Sequence, residues 1–324
     1  GIYIQKGGGS LEKASLLLKN IQENIERVIV GKSEAIHLIL IALMGRGHVL
    51  IEDVPGVGKT MMVSSLARSL SLSFRRIQFT PDVLPSDITG FSMYNFKTGQ
   101  MEFHPGMIMN QIILADEINR TSPKTQSSLL EVMEEAQVTV DGTTYPVPAP
   151  FIVLATQNPV EYIGTFPLPE AQLDRFMLKV AMGYPTKREE MLILSRFQSQ
   201  NPLKTLQPVA SAEDVLFLQK AVTEVKAAEA IKEYISNIVS MTRGHHDLSL
   251  GASPRGALYL MRASQSYALL QGRDYVIPDD VQKMTIPVLA HRLILKPEAR
   301  LKEMTAERVL KSVLNTLYVP VISS

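Results

Sequence analysis

The sequence predicts an α/β protein in which helices cover both faces of a parallel β-sheet, followed by a smaller, all-helical domain. Short apolar strands alternate with helical segments from about residue 11 to residue 184, which is the order typical of a parallel sheet. Three predicted strands contain the dense apolar runs VLI, IIL and FIVL, as expected for strands buried on both faces. After Tyr184-Pro185 only helical periodicity remains.

The predicted domains are a flexible leader at residues 1–10, an α/β domain at 11–184 and a helical domain at 185–324. The leader is predicted from the run Gly7–Ser10, which resembles a linker. The expected strands are His48–Glu52, Phe74–Phe79, Gln111–Asp116, Phe151–Thr156 and Phe176–Met182. The expected helices of the second domain are Ala212–Lys226, Ile231–Thr242, Pro254–Leu270 and Pro278–Leu289.

Two β-hairpins are predicted as insertions into the α/β plan. Phe91–Phe103 has Thr98-Gly99 between aromatic and apolar residues, and Gln137–Val147 alternates around Asp141-Gly142. Between them, Ser122 is expected to cap a helix that begins at Pro123.

Composition and charge predict a cytoplasmic protein. Lys and Arg number 33 against 32 Asp and Glu, a net charge of +1 that gives no general argument for binding nucleic acid. No apolar run approaches the roughly 20 residues that span a bilayer, and the N-terminus lacks the layout of a secretory signal. The absence of cysteine excludes disulfides and thiolate metal sites.

The loop Glu52–Thr60, with the sequence EDVPGVGKT, is predicted to bind a triphosphate. Its backbone N–H groups and the following helix N-terminus favour an anion, with Lys59 on the β- and γ-phosphates and the Thr60 hydroxyl on magnesium. Asp53 stands where the usual pattern has glycine, but Gly56 and Gly58 make the close approach to phosphate. The alternative is a glycine-rich turn without function.

Two strand ends supply the remaining expected chemistry. Gln111–Asp116 ends in Asp116-Glu117, and a strand adjacent to the phosphate loop would bring Asp116 to the magnesium hydration shell. Glu117 would then act as general base on the attacking water. Asn158, after the apolar strand that ends at Thr156, can position that water. The alternatives are a solvated acidic strand end and a simple strand-ending turn.

The motifs GVGKT, LADEINR, ATQNP, LPEAQLDRF and GASPRGA together resemble the MoxR family of AAA+ ATPases over nearly the whole chain. The resemblance implies a P-loop AAA+ core with a parallel five-stranded sheet, followed by an all-helical lid, with the hairpins as the helix-2 insert and the pre-sensor-1 hairpin. It makes Asn158 the sensor-1 residue, Arg175 the arginine finger for a neighbouring subunit and Arg255 the sensor-2 arginine. The nucleotide contacts it implies are Val30, Gly31, Pro55, Gly56, Val57, Gly58, Lys59, Thr60, Met61 and Arg255, with Thr60 and Asp116 at the metal.

The same resemblance implies an ATPase that uses ATP and Mg²⁺, forms a hexameric ring and remodels protein complexes, with a von Willebrand factor A domain protein as the partner. One alternative is a nucleic-acid motor. The residues near the tip of the second hairpin argue against it, because none of them has a positively charged side chain that could bind phosphate: Val138, Val140, Thr143 and Thr144. The other is a scaffold that binds ATP without turnover. A role for Arg120 at the subunit interface stays open.

Overall fold

The computed structural model describes residues 8–52, 58–158 and 164–322. Its strands are β1 Val49–Glu52, β2 Phe74–Gln78, β3 Gly90–Asn95, β4 Gln100–Pro105, β5 Ile112–Asp116, β6 Gln137–Val140, β7 Thr143–Pro146, β8 Ile152–Thr156, β9 Leu178–Ala181, β10 Leu248–Leu250 and β11 Ile294–Leu295. Its helices are α1 Gly8–Glu26, α2 Ser33–Met44, α3 Lys59–Ser69, α4 Pro85–Thr89, α5 Pro123–Glu135, α6 Glu170–Leu173, α7 Lys187–Phe197, α8 Ala212–Glu224, α9 Glu229–Arg243, α10 Pro254–Leu270, α11 Pro278–Leu289, α12 Pro297–Leu301 and α13 Ala306–Thr316.

The predicted α/β core is confirmed: five strands form one parallel sheet in the order β2-β5-β8-β1-β9. Every residue of β5 and β8 is buried, which explains their unbroken apolar sequences. Strand β8 separates β5 from β1, so Asp116 at the end of β5 reaches Lys59 beyond the phosphate loop from two strands away. A sequence gives the order of strands along the chain, whereas the order within a sheet depends on where each crossover helix packs.

Both predicted hairpins form. The β3–β4 hairpin turns through Gly99 at φ 69°, and β6–β7 turns through Asp141 and Gly142 at φ 49° and 77°. Consecutive positive φ values define the turn that matches the twist of a two-residue hairpin, and the Asp-Gly pair tolerates them. The rings of Phe103 and Tyr145 stack with centroids 3.8 Å apart and so join the two hairpins.

The C-terminal region is helical, with one exception to the all-helical expectation. β10 and β11 form a short antiparallel pair, and strands of three and two residues are too short to show alternation in the sequence. The apolar core is continuous between the sheet and this region: one buried cluster includes residues of α1, α2 and α3 as well as α8, α9 and α10.

The N-terminal helix α1 begins at Gly8, so Gly8, Gly9 and Ser10 of the expected leader are helical. Ser10 precedes the apolar positions Ala14, Leu18 and Ile21, which are buried at helical spacing. No helix in the described ranges is both long enough and apolar enough to cross a bilayer.

Candidate functional site

Lys59 and Thr60 are the first two residues of α3, directly after β1 and its loop. Gly58 precedes them at φ 77°, a left-handed conformation that glycine adopts without steric cost. A helix begins here, and the N-terminus of a helix favours an anion. The expected phosphate contacts Pro55, Gly56 and Val57, with Asp53, lie outside the described residues.

Asp116 at the end of β5 meets three donors although it is only 1% exposed. Its Oδ1 lies 3.0 Å from Lys59 Nζ and accepts a hydrogen bond of 2.9 Å from Thr156 Oγ1. Its Oδ2 lies 2.7 Å from Arg76 Nε. Burial by itself raises the pKa of a carboxyl, but the hydrogen bonds from Lys59, Arg76 and Thr156 outweigh it and hold the pKa of Asp116 below its usual value.

Thr156, at the end of β8, links the two acidic residues. Its hydroxyl donates to the Asp116 carboxylate and accepts from the Glu117 backbone N–H at 2.9 Å. Glu117 takes the left-handed conformation at φ 58° and ψ 51°, which is rare for a residue with a side chain and is found disproportionately at functional sites. This turn leaves Asp116 buried while the Glu117 side chain is 25% exposed.

Asn158 lies beside the Glu117 carboxylate. Its Nδ2 donates to Glu117 Oε2 at 3.2 Å. The buried Asn119 fixes the Asn158 backbone, since its Oδ1 accepts from Asn158 N and its Nδ2 donates to Asn158 O, both at 2.8 Å. Arg120 also donates to Glu117 Oε2, at 3.4 Å. Glu117 is therefore held by two donors at an accessible edge of the sheet.

A cavity of about 210 Å³ opens next to Gly58 and is formed by both regions of the chain. Its lining is mostly apolar: Val28, Ile29, Val30, Lys32, Gly58 and Met61 from the core, and Met182, Pro185, Ile193 and Phe197 from β9 and α7 or their flanks. Gly31 beside it has φ 71°, and a Cβ there would collide with the Glu189 carboxylate. A wider cleft of about 700 Å³ lies between α3 and Leu203–Pro208 but does not include Gly58. The smaller cavity is the one that adjoins Gly58, at the start of α3.

Arg175 and Arg255 meet on one carboxylate. Glu134 Oε2 lies 3.3 Å from Arg175 Nε, and Glu134 Oε1 lies 2.7 Å from Arg255 Nη2. These residues come from α5, from the segment after α6 and from the first turn of α10. The two arginines therefore face the same region, although the sequence suggested separate roles for them.

Comparisons with known proteins identify the family to which the chain belongs. A model of the ATPase family associated with various cellular activities matches residues 48–178, and an AAA lid model matches residues 240–313. The chain is 41% identical to Chaperone MoxR1 of Mycobacterium tuberculosis, covering 93% of this chain and 81% of that protein. It is 31% identical to Protein MoxR of Methylorubrum extorquens, covering 85% and 87%.

The chain belongs to the MoxR family of AAA+ ATPases. It is also 57% identical to YeaC of Bacillus subtilis, a protein described as uncharacterized, over 94% of this chain and 95% of that one. A crystal structure of a candidate ATPase from Cytophaga hutchinsonii superposes with a TM-score of 0.92 at 38% identity, covering 99% of this chain and 100% of that chain.

The MoxR-family site also contains residues that the sequence did not single out, namely Arg76, Asn119, Glu134 and Thr156. Arg76 is a charged residue within a strand, and Asn119 is a buried amide in the LADEINR motif. Neither residue can be assigned to the site from the sequence until the pairing of the strands is known. Lys59, Asp116, Glu117 and Asn158 form one connected group, and Arg175 and Arg255 form a second through Glu134.

Proposed function

We propose that this MoxR-family protein is a Mg²⁺-dependent ATPase that assembles into a ring and uses hydrolysis to remodel or activate protein complexes. The observation that supports the proposal most strongly is the meeting of Lys59, Asp116 and Glu117 at one edge of the sheet. The end of the triphosphate loop and the acidic pair belong to distant parts of the sequence. In the fold they are joined directly, because the Lys59 ammonium contacts the Asp116 carboxylate.

The donor set fits Mg²⁺ and a triphosphate. Asp116 and Thr60 offer a carboxylate and a hydroxyl oxygen, the ligand type that Mg²⁺ prefers, and the lowered pKa of Asp116 keeps its carboxylate ionised. When bound, the metal would neutralise charge that develops on the phosphate oxygens. Lys59 and the N-terminus of α3 would bind phosphate, and the cavity beside Gly58 would hold the adenine near Val30, Gly31 and Met61.

We assign Glu117 as the general base that activates the attacking water. We assign Asn158 as the residue that orients this water, which would contact both side chains. The carboxylate is partly exposed and within hydrogen-bond distance of the Asn158 amide, so a water molecule can reach both groups. The left-handed turn at Glu117 leaves its side chain partly exposed while Asp116 stays buried, which separates proton abstraction from metal binding.

We assign Arg175 and Arg255 to the phosphates of a nucleotide held by a neighbouring subunit. An arginine is always charged and presents several N–H donors, and one placed at the transferred phosphate contributes about 10³ to 10⁵ in turnover. Because Glu134 holds both side chains together, Arg175 and Arg255 would contact the nucleotide of the same neighbouring subunit. Ring assembly, for which the family suggests six subunits, is then part of the catalytic mechanism.

A protein client is favoured over nucleic acid by the hairpins. In the β3–β4 hairpin, large apolar side chains are exposed, with Phe96 at 92%, Met101 at 60% and Met93 at 53%. Exposed aromatic and methionine side chains suit an adaptable protein surface. A partner with a von Willebrand factor A domain is the client that family resemblance suggests.

The test is the Glu117→Gln variant, with Glu135→Gln as a control for the same charge change on an exposed part of α5. We expect calorimetry to show that E117Q binds Mg·ATP like wild type, while phosphate release falls to background. E135Q should keep wild-type turnover. Sedimentation with Mg·ATP should show a ring-sized species for both.

Three results would contradict the proposal. Undiminished hydrolysis by E117Q would remove Glu117 as the base. A wild-type ring that binds ATP without hydrolysing it would favour a scaffold. ATPase stimulated by DNA in a salt-dependent manner would favour a nucleic-acid motor.

A further inference from the structure

The carboxylate of Glu134 binds two arginines, one with each oxygen. Oε2 pairs with Arg175 Nε at 3.3 Å and Oε1 with Arg255 Nη2 at 2.7 Å. Two guanidinium groups brought this close repel each other unless an anion lies between them. Among the described residues, Glu134 is the acidic side chain that forms an ion pair with either arginine. The contact therefore determines where both charged ends lie.

The main chains of the two arginines are fixed by a separate set of contacts. The Asp174 carboxylate accepts from Ser253 Oγ at 2.8 Å and from the buried Arg292 Nε at 2.9 Å. Ser253 caps α10, so this contact places the first turn of α10 beside the segment that carries Arg175. The Tyr259 hydroxyl also donates to the Arg175 carbonyl oxygen, at 3.3 Å. With the backbone held in this way, the freedom that remains belongs to the side chains.

The Glu134 contacts leave donors for a second anion. Arg175 uses Nε, the guanidinium nitrogen nearest its own chain, so its two terminal Nη groups lie outside this ion pair. Arg255 uses one of its three guanidinium nitrogens, the terminal Nη2. Two positive charges against one negative charge leave a surplus of one, and the side chains are 30%, 35% and 45% exposed for Arg175, Arg255 and Glu134. An anion can therefore reach the pair and is attracted to it.

We propose that Glu134 is a positioning residue that holds Arg175 and Arg255 as one unit for the terminal phosphate of a nucleoside triphosphate on a second copy of this chain. The inference rests on the proposed function, since it requires a phosphate across a subunit interface. Glu134 acts through the arginines and touches no phosphate. Its loss should lower kcat and leave the KM for ATP nearly unchanged, because the site that binds ATP belongs to the other copy.

The experiment mixes two kinds of full-length subunit. The acceptor carries Arg175→Ala and keeps its own hydrolytic centre, whereas the donor carries Glu117→Gln and keeps its arginines. Each alone should be nearly inactive, and the mixture should recover turnover wherever an acceptor site faces a donor. The donor is then compared in three forms that add Glu134→Gln, Glu134→Asp or the control Glu135→Gln, an exposed neighbour at the end of α5.

We expect the E117Q/E135Q donor to restore as much turnover as the E117Q donor. The E117Q/E134Q donor should restore about a tenth of it or less, a part of the 10³ to 10⁵ that such an arginine supplies, with KM within about twofold. The E134D form keeps the charge on a shorter side chain and should fall between them. Thermal unfolding of the three donors should be alike, because the Asp174, Ser253 and Arg292 contacts are unchanged.

Two outcomes overturn the inference and are distinguishable. If the mixture recovers turnover and the E134Q donor matches the E135Q donor, Glu134 does not position the arginines, and action across the interface still stands. If the parent mixture recovers nothing, that action fails and the inference fails with it. A KM increase with unchanged kcat would also overturn it, since Glu134 would then contribute to ATP binding. If the E134Q donor unfolds, the E134D donor tests the inference instead. It must then restore less turnover than the E135Q donor.

Discussion

Replacing Thr156 with valine should destabilise the nucleotide-free protein by about 3 kcal/mol. Valine has the same shape, so no cavity forms, but two hydrogen bonds are lost. The bond to the Asp116 carboxylate involves a charged group, and such bonds contribute about 1.5–3 kcal/mol. The Glu117 N–H loses its acceptor at a partly buried position, where an unsatisfied donor costs about 1 kcal/mol, the low end of the range for buried donors. Together the two losses amount to roughly 2.5–4 kcal/mol.

Thr156→Ser is the matched control because it keeps the hydroxyl and removes one methyl group, which costs about 1 kcal/mol. Urea unfolding at pH 7, followed by circular dichroism, measures both variants. We expect a lower midpoint for T156V with an unchanged slope, because the surface exposed on unfolding does not change. Equal midpoints for T156V and T156S would refute the assignment of both hydrogen bonds.

The pH dependence separates the two hydrogen bonds. The folded pKa of Asp116 lies below its unfolded value of 3.8, so its ionised form stabilises the fold above that pH, and this stabilisation is lost as the pH falls through the folded pKa. Removing the Thr156 donor makes the depression of the pKa smaller. The difference in the free energy of unfolding between wild type and T156V should therefore be constant from about pH 7 to 5 and become smaller below about pH 4. If the stability difference between wild type and T156V does not change with pH, it comes only from the lost hydrogen bond of the Glu117 N–H.

Three further predictions concern the surroundings of the site. Arg76→Gln should lower the Mg²⁺ concentration for half-maximal ATPase by up to about fivefold, since a half-exposed ion pair contributes about 1 kcal/mol or less, whereas Arg75→Gln on the same strand should not; a magnesium titration measures both. Ile193→Trp should fill the 210 Å³ cavity and weaken ATP binding at least about tenfold, while tripolyphosphate, which lacks a base, binds as before in calorimetry. A double-mutant cycle of Phe103→Leu and Tyr145→Leu should give a coupling of about 0.5–1.5 kcal/mol in urea unfolding, and additive effects would show that the ring stack contributes nothing.

The strand ends of the site could be predicted from the sequence because each combines two local signals. An apolar run that stops at Asp116-Glu117 or before Asn158 identifies a buried strand and a polar tip. Parallel strands bring such tips to one edge of a sheet without knowledge of their order. For this reason the predicted set of residues did not depend on knowing that β8 lies between β5 and β1.

The residues that support the site could not be predicted in the same way. Glu134 is one of three glutamates in EVMEEAQ, and the sequence does not show which of them faces arginines that lie 41 and 121 positions later. Thr156 became identifiable only when the sheet placed β8 beside β5. Pairings between distant segments depend on packing and register, which a single sequence does not specify.

The contacts around the two arginines continue without a break to the exposed hairpin. Glu134 is in the last turn of α5, and β6 begins at Gln137, shortly after Ala136 at φ 54°. The partner strand β7 carries Tyr145, whose ring stacks on Phe103 of the first hairpin. A change in the position of Glu134 when the arginines bind phosphate would therefore act on an element that contacts the first hairpin, which carries Phe96, through this ring stack and through other contacts between β3 and β6. Because adjacency alone does not prove coupling, the stack is the contact to remove: breaking it should leave ATP hydrolysis intact and separate it from client binding.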